Sequence, residues 1–146
     1  MKNINELINN DVLRGRKIFP CKPNQKRPLT QVTPHGFKDA SSDAGVIETW
    51  WGNHPTANIG LVTGREANLV VVDVDVKNNV GGMESLKQLQ DECGEFNTRV
   101  VHTPSGGLHY YFSYPEDIVG SIKCKTGFRK GIDIRADGGY VVAPGS

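Results

Sequence analysis

The run Leu69-Val70-Val71-Val72-Asp73-Val74-Asp75-Val76 decides how the rest of the chain is read. An unbroken apolar stretch of this kind marks an interior strand, because a central strand is covered on both faces. Its two carboxylates stand at i and i+2, so they share one face, roughly 7 Å apart along the strand. Like charges that close, beside apolar surface, are costly unless a cation or strong hydrogen bonds compensate. A divalent metal does so directly, and hard oxygen ligands suit Mg²⁺ or Mn²⁺. The plainer alternative is a strand end emerging into solvent, with both aspartates hydrated or capping a turn. A lone Asp-x-Asp leaves both open.

Outward from this strand, elements alternate. Asn58 to Thr63 reads as a second strand, joined to the first by a turn over 64–68. Met83, Leu86 and Leu89 recur at helical spacing up to Cys93, and Gly94 stops that helix. Thr98 to Thr103 and Leu108 to Tyr114 read as a hairpin around Pro104-Ser105-Gly106-Gly107, and Gly131 to Arg135 and Tyr140 to Ala143 as another around 136–139. Nearer the start, Ile4, Leu7, Ile8 and Val12 predict a helix ended by Gly15. Lys17-Ile18-Phe19 predicts a strand halted by Pro20, and 21–33 a polar loop. Ser41-Ser42-Asp43 offers caps for a helix whose apolar face holds Val46, Ile47, Trp50 and Trp51. This order indicates an α/β or α+β sandwich. No repeat or linker divides residues 1–146, so the reading is a single domain.

Composition sets the outer bounds. The 146 residues are 37% hydrophobic and 23% charged, which allows a packed core and argues against wholesale disorder. Seventeen Lys+Arg against sixteen Asp+Glu leave +1, which excludes a strongly basic tail or an acidic solvating protein. No apolar run approaches the roughly 18 residues of a membrane span, so no membrane partner is expected. The start at Met1-Lys2-Asn3 carries no apolar leader. Cys21, Cys93 and Cys124 are far apart with no Cys-x-x-Cys pair, and they read as free thiols in a reducing cytoplasm.

Further residues join the two aspartates. Ile132-Asp133-Ile134 sets a third carboxylate between β-branched neighbours. Paired beside the Asp73 strand it completes a set able to hold two metal ions; alone it reads equally as an exposed edge. His109 and Tyr111 share a strand face. The preceding Ser105-Gly106-Gly107 suits either a backbone nest for an anion or a plain hairpin turn. Arg135 follows Asp133 on the same face and can pair with phosphate or with an aspartate. Lys123, Lys125, Arg129 and Lys130 cluster late in the chain, and Lys22, Lys26 and Arg27 early. Such groups suit a nucleic-acid backbone, although most charge runs are simply solvated.

In order, these motifs are Lys26-Arg27-Pro28-Leu29, Gly36-Phe37-Lys38-Asp39-Ala40, Trp50-Trp51, Ala57-Asn58-Ile59-Gly60, Val72-Asp73-Val74-Asp75, Thr103-Pro104-Ser105-Gly106-Gly107-Leu108-His109, Ile132-Asp133-Ile134-Arg135 and Gly138-Gly139-Tyr140-Val141-Val142-Ala143-Pro144. From about residue 17 onward the chain resembles the bifunctional primase–polymerase domain of plasmid, phage and mobile-element replication proteins, in the archaeo-eukaryotic primase superfamily. The resemblance implies an α/β unit packed with an RNA-recognition-like sheet. It also implies two-metal nucleotidyl transfer, in which a 3′-hydroxyl attacks the α-phosphate of a nucleoside triphosphate. Asp73, Asp75 and Asp133 match its metal motifs, with Mg²⁺ or Mn²⁺ as cofactor. His109 matches its triphosphate-contacting histidine, with Ser105, Gly106, Gly107 and Arg135 as further nucleotide contacts. Single-stranded DNA template and primer are the implied partners, with Lys26, Arg27, Lys125, Arg129 and Lys130 as candidate contacts. The family pattern continues past Ala143-Pro144-Gly145-Ser146, so a fragment of a longer replication protein with a helicase module is expected. Cytoplasmic replication in a prokaryotic cell or phage-infected host is the implied setting.

Rivals remain at this level. Val70 to Val76 also fits a haloacid-dehalogenase-like phosphohydrolase with Asp73 as nucleophile, though the later acidic pair that family needs is absent. An Asp-x-Asp glycosyltransferase is weaker still. From another class, a catalytically weak or inactive primase-like module would bind nucleotide or single-stranded DNA without turnover.

Overall fold

A computed structural model describes residues 3–77 and 81–146; the leader reading at Met1 and Lys2 lies outside them. Two compact units result, Met1–Val62 with Tyr140–Ser146, and Thr63–Gly139. Both mix helix with antiparallel sheet, so the fold is α+β. Among the described residues, no helix is long and apolar enough to cross a membrane.

In the first unit, Asn3 caps α1 (Ile4–Asn9) by accepting the Asn5 N–H at 3.0 Å. This helix is shorter than its apolar spacing predicts. Asn10 turns extended and its side chain accepts the Val12 N–H at 2.8 Å, drawing the chain into a turn that still buries Val12 and Leu13. Strand β1 (Ile18–Cys21) runs through Pro20 instead of stopping there. It is the edge of a three-stranded sheet, where a residue without an N–H is tolerated. Asp43 caps α2 (Ala44–Asn53) through the Val46 N–H. Its buried stripe is narrower than expected: Ile47 and Trp51 are inside, Trp50 is half-buried and Val46 is exposed.

The centre of that sheet is β2 (Asn58–Val62), between β1 and β8 (Tyr140–Val142). Gly60 lies opposite Phe19, and a Cβ there would come within 2.4 Å of the Phe19 ring. The fully buried ring meets Tyr140 edge-on with centroids 4.9 Å apart. Buried Trp51 of α2 donates its indole N–H to the Ala57 carbonyl at 3.1 Å. All three cysteines are free thiols; burial pushes Cys21 up to about 12, which makes it inert packing.

The second unit holds β3 (Val70–Val74), α3 (Gly82–Cys93), β4 (Arg99–His102), β5 (Leu108–Phe112), β6 (Lys125–Arg129) and β7 (Ile132–Arg135). Its sheet order is β4-β5-β3-β7-β6, every pairing antiparallel, so β3 is central as its apolar run predicts. Val72, Val74, Tyr110 and Ile132 form one face and pack against Leu86 and Leu89 of α3. Met83, expected on that apolar stripe, is instead exposed.

The late strands pair otherwise than expected. The segments 131–135 and 140–143 do not form a hairpin: β7 pairs with β3 and β6, while β8 belongs to the other sheet. The real hairpin partner of β7 is β6, turning at Gly131 with φ +74°. The late basic cluster lies on and next to β6, a bulged edge strand exposed enough to need no apolar alternation.

The turn expected over 136–139 is present, its Gly139 N–H donating to the Ala136 carbonyl at 3.3 Å, and it centres on Asp137. Its carboxylate accepts from Tyr114 Oη at 2.6 Å, Ser121 Oγ at 2.7 Å and the Arg65 N–H at 2.8 Å. The Arg65 guanidinium lies 4.6 Å over the Tyr114 ring and donates to the carbonyls of Ile118 and Gly120, which ties down the loop after β5. The hydrogen bonds from Ser121, Tyr114 and Arg65 hold Asp137 down to about 2. A lowered folded pKa means stability that is present above the ordinary carboxylate value and lost as pH falls through the folded one. Asp137→Asn is therefore expected to cost about 1–2 kcal/mol near neutral pH, the screened value of a partly exposed carboxylate. Urea unfolding at stepped pH should show the gap to wild type closing between about pH 4 and about pH 2.

Candidate active site

Because β3 buries Val72 and Val74 under α3, alternation turns Val71 and Asp73 to the other face. The neighbours then follow from register. Asp73 stands opposite His109 on β5 and opposite Asp133 on β7, while Val71 stands opposite Tyr111 and Arg135. Val101 and Arg99 of β4 extend the same two rows beyond His109 and Tyr111. A strip of titratable groups thus crosses the middle of the sheet: His109, Asp73, Asp133, with Arg135 one row away.

The contacts are local and specific. His109 Nε2 lies 3.4 Å from Asp73 Oδ1, and the histidine is only 3% exposed. Its ring stacks toward Tyr111 with centroids 6.5 Å apart, and its buried Nδ1 has no hydrogen-bond partner among the described residues. Asp133 accepts the Gly127 N–H at 2.8 Å and pairs with Arg135 at 3.1 Å. Like charges directly opposite across two strands repel. Here each carboxylate has a nitrogen group beside it: His109 at Asp73, Arg135 at Asp133.

Asp75 sits differently. It follows the regular part of β3, where its N–H still donates to the Gly131 carbonyl at 2.8 Å, but its carboxylate accepts the Lys77 N–H at 2.9 Å and the residue is exposed. Only the first aspartate of the pair is therefore in the ladder. Three carboxylates offer hard oxygen donors that fit Mg²⁺ or Mn²⁺. Among the described residues, however, no three His, Cys, Asp or Glu side chains are grouped as a metal site.

The turn before His109 is closed by its own bonds. Gly106 N–H donates to the Thr103 carbonyl at 2.9 Å, and Gly107 N–H donates to Thr103 Oγ1 at 2.8 Å. Those two amides are spent inside the turn, so the backbone nest expected there is not open at them. The Ser105 hydroxyl stays at the exposed tip, 3.2 Å from Thr103 Oγ1.

Within the second unit, the basic candidates Arg129, Lys130 and Lys125 do not gather round the carboxylates. Arg129 lies opposite Ile132, on the α3 side of the sheet, 3.7 Å from Glu92 and 4.6 Å over the Phe128 ring. Lys130 runs alongside Gly81 at the start of α3, and Lys125 lies opposite Ile134. Lys26 and Arg27 belong to the first unit, exposed in a loop closed by the Lys22 N–H on the Arg27 carbonyl, while Tyr140 Oη donates to the Lys26 carbonyl.

A model of the N-terminal domain of bifunctional DNA primases/polymerases matches residues 10–146. The chain belongs to this family. No curated protein matches the chain. Membership in the primase/polymerase family sets aside the phosphohydrolase and glycosyltransferase readings of the aspartate pair.

Within this primase/polymerase domain, some contributors escape a sequence reading. Gly127 supplies only a backbone amide to Asp133, for which no residue type is diagnostic. Thr103 was legible as part of Thr103-Pro104-Ser105-Gly106-Gly107, but nothing in the pattern shows its hydroxyl reaching Gly107. Gly82 stands just before the helix read from Met83 and carried no signal of its own, yet a Cβ there would come 1.9 Å from the Asp75 carbonyl oxygen. Gly82→Ala must push the end of β3 away and is expected to cost about 3 kcal/mol. Chemical denaturation should read that loss, and a shift of the Asp75 amide signal in an NMR spectrum should show where it acts.

Proposed function

We propose that this domain performs template-directed nucleotidyl transfer in plasmid or phage DNA replication. A 3′-hydroxyl loses its proton and attacks the α-phosphate of a nucleoside triphosphate; the phosphodiester bond forms as the bond to pyrophosphate breaks. One observation carries the reading: the register that sets Asp73 opposite both His109 and Asp133 in the centre of a primase/polymerase-family sheet.

Asp73, Asp75 and Asp133 would hold the divalent cations, Mg²⁺ or Mn²⁺, of a two-metal site. Such ions, when bound, neutralise the triphosphate and lower the pKa of the attacking hydroxyl. His109, fixed by burial beside Asp73, would bind the triphosphate together with the Ser105 hydroxyl and Arg135. Lys26, Arg27, Lys125, Arg129 and Lys130 would meet single-stranded template and primer through phosphates, which makes that binding salt-dependent and independent of sequence. A helicase module of a longer replication protein, in the cytoplasm of a prokaryotic cell or infected host, is the proposed partner.

A second reading, a module that binds nucleotide or single-stranded DNA without turnover, is favoured by the Asp75 and Asp133 oxygens already engaged by backbone amides. The two readings separate in one assay. Primed and unprimed single-stranded DNA is incubated with labelled nucleotides and Mg²⁺ or Mn²⁺, beside an Asp73→Asn variant. Nucleotidyl transfer predicts extension that falls by about a hundredfold or more in the variant while its thermal unfolding stays cooperative. Nucleotide binding without any extension by wild type would favour the module.

A further inference from the structure

We infer that Thr103 is a positioning residue for the triphosphate, acting through Ser105. The inference rests on the nucleotidyl-transfer reading above and deepens it. Thr103 ends the β4 side of the turn, and three bonds tie it across to the β5 side: its N–H to the Gly107 carbonyl at 2.9 Å, its carbonyl to the Gly106 N–H at 2.9 Å, and its Oγ1 to the Gly107 N–H at 2.8 Å. Any residue can make the first two. The third needs an acceptor oxygen on a short side chain, which the Thr103 hydroxyl supplies.

That third bond is made in a confined space. A Cβ on Gly107 would come 3.1 Å from Thr103 Oγ1 and 3.1 Å from the Val74 carbonyl oxygen. Gly107 is thus wedged between the threonine hydroxyl and the backbone of β3, one residue before Asp75 and two before His109. The threonine hydroxyl sets where the turn stands against the strand that carries the aspartates.

The same oxygen lies 3.2 Å from Ser105 Oγ. With a lone pair of Oγ1 taken by the Gly107 amide, the Thr103 proton is free to donate to Ser105 Oγ. In that arrangement Ser105 keeps its own proton for a phosphate oxygen, at the tip of the turn and with Gly106 at φ +89°. Since the Gly106 and Gly107 amides are spent within the turn, this hydroxyl is the side-chain donor that the tip of the turn offers to an anion. Thr103 touches no substrate; it orients the group that does.

The test compares Thr103→Val, which keeps the shape and removes the hydroxyl, with Thr103→Ser, which keeps the hydroxyl, and with Ser105→Ala. Equilibrium binding of a labelled nucleoside triphosphate is measured alongside KM and kcat for primer extension. Thr103→Val is expected to weaken nucleotide binding and raise KM about tenfold, with kcat within about twofold. Thr103→Ser should bind like wild type. Ser105→Ala should match Thr103→Val, and the double variant should be no weaker than either single one, because both remove the same donor. Additive losses, a Thr103→Ser as weak as Thr103→Val, or unchanged binding in Thr103→Val would each overturn the inference while leaving nucleotidyl transfer standing. A wild-type protein that neither binds nucleotide nor extends primer overturns the underlying reading and this inference with it. If Thr103→Val fails to fold, Ser105→Ala and Thr103→Ser still decide it.

Discussion

Two carboxylates facing each other across the middle of a covered sheet are the constraint to which the second unit is fitted. Asp73 and Asp133 cannot be moved apart by a register slip, because a shift of one residue would also turn Val72, Val74 and Ile132 out of the core against α3. The hydrophobic face therefore enforces the unfavourable electrostatic pairing on the other side. Compensation comes from the flanking positions: a buried imidazole on β5, and a guanidinium and a backbone amide around β7. A core assembled for its own packing has no use for such an arrangement. Local conflict enforced by global fit is what functional or strained positions show.

The end of β3 is crowded for the same reason. Gly82 allows α3 to begin against the Asp75 carbonyl, and Gly107 allows the turn to close on the Val74 carbonyl. The Asp75 carboxylate itself turns outward to the Lys77 amide, in contrast with the ladder-bound Asp73.

How much of this was legible in the sequence depends on burial. The run 69–76 announced a central strand because both faces of β3 are covered, and the alternation in Ile132-Asp133-Ile134 and around His109 showed which side chains share a face. Family motifs then linked residues far apart in the chain. Invisible were features that rest on pairing partners or main-chain groups. Strand β6 is exposed and basic, so it carries no apolar period. Strand β8 has the period, but nothing local says it leaves β7 for another sheet. Charge counting shows which residues are basic and not where they stand: Arg129, a candidate for DNA, lies over the Phe128 ring with Glu92 of α3 3.7 Å away. Thr103 lay in plain view within a recognised motif, and only the distance to Gly107 gives it a task.

The separation of β2 from β8 has a consequence for how the protein is made. Val62 and Tyr140 are directly paired, yet everything from Thr63 to Gly139 is synthesised between them. The three-stranded sheet thus waits for its last strand until the five-stranded unit has left the ribosome in full. The five-stranded unit is continuous in sequence and has no such wait. On the ribosome, the Thr63–Gly139 unit is free to fold before the unit that precedes it in the chain, whose sheet stays incomplete until Tyr140–Val142 arrives.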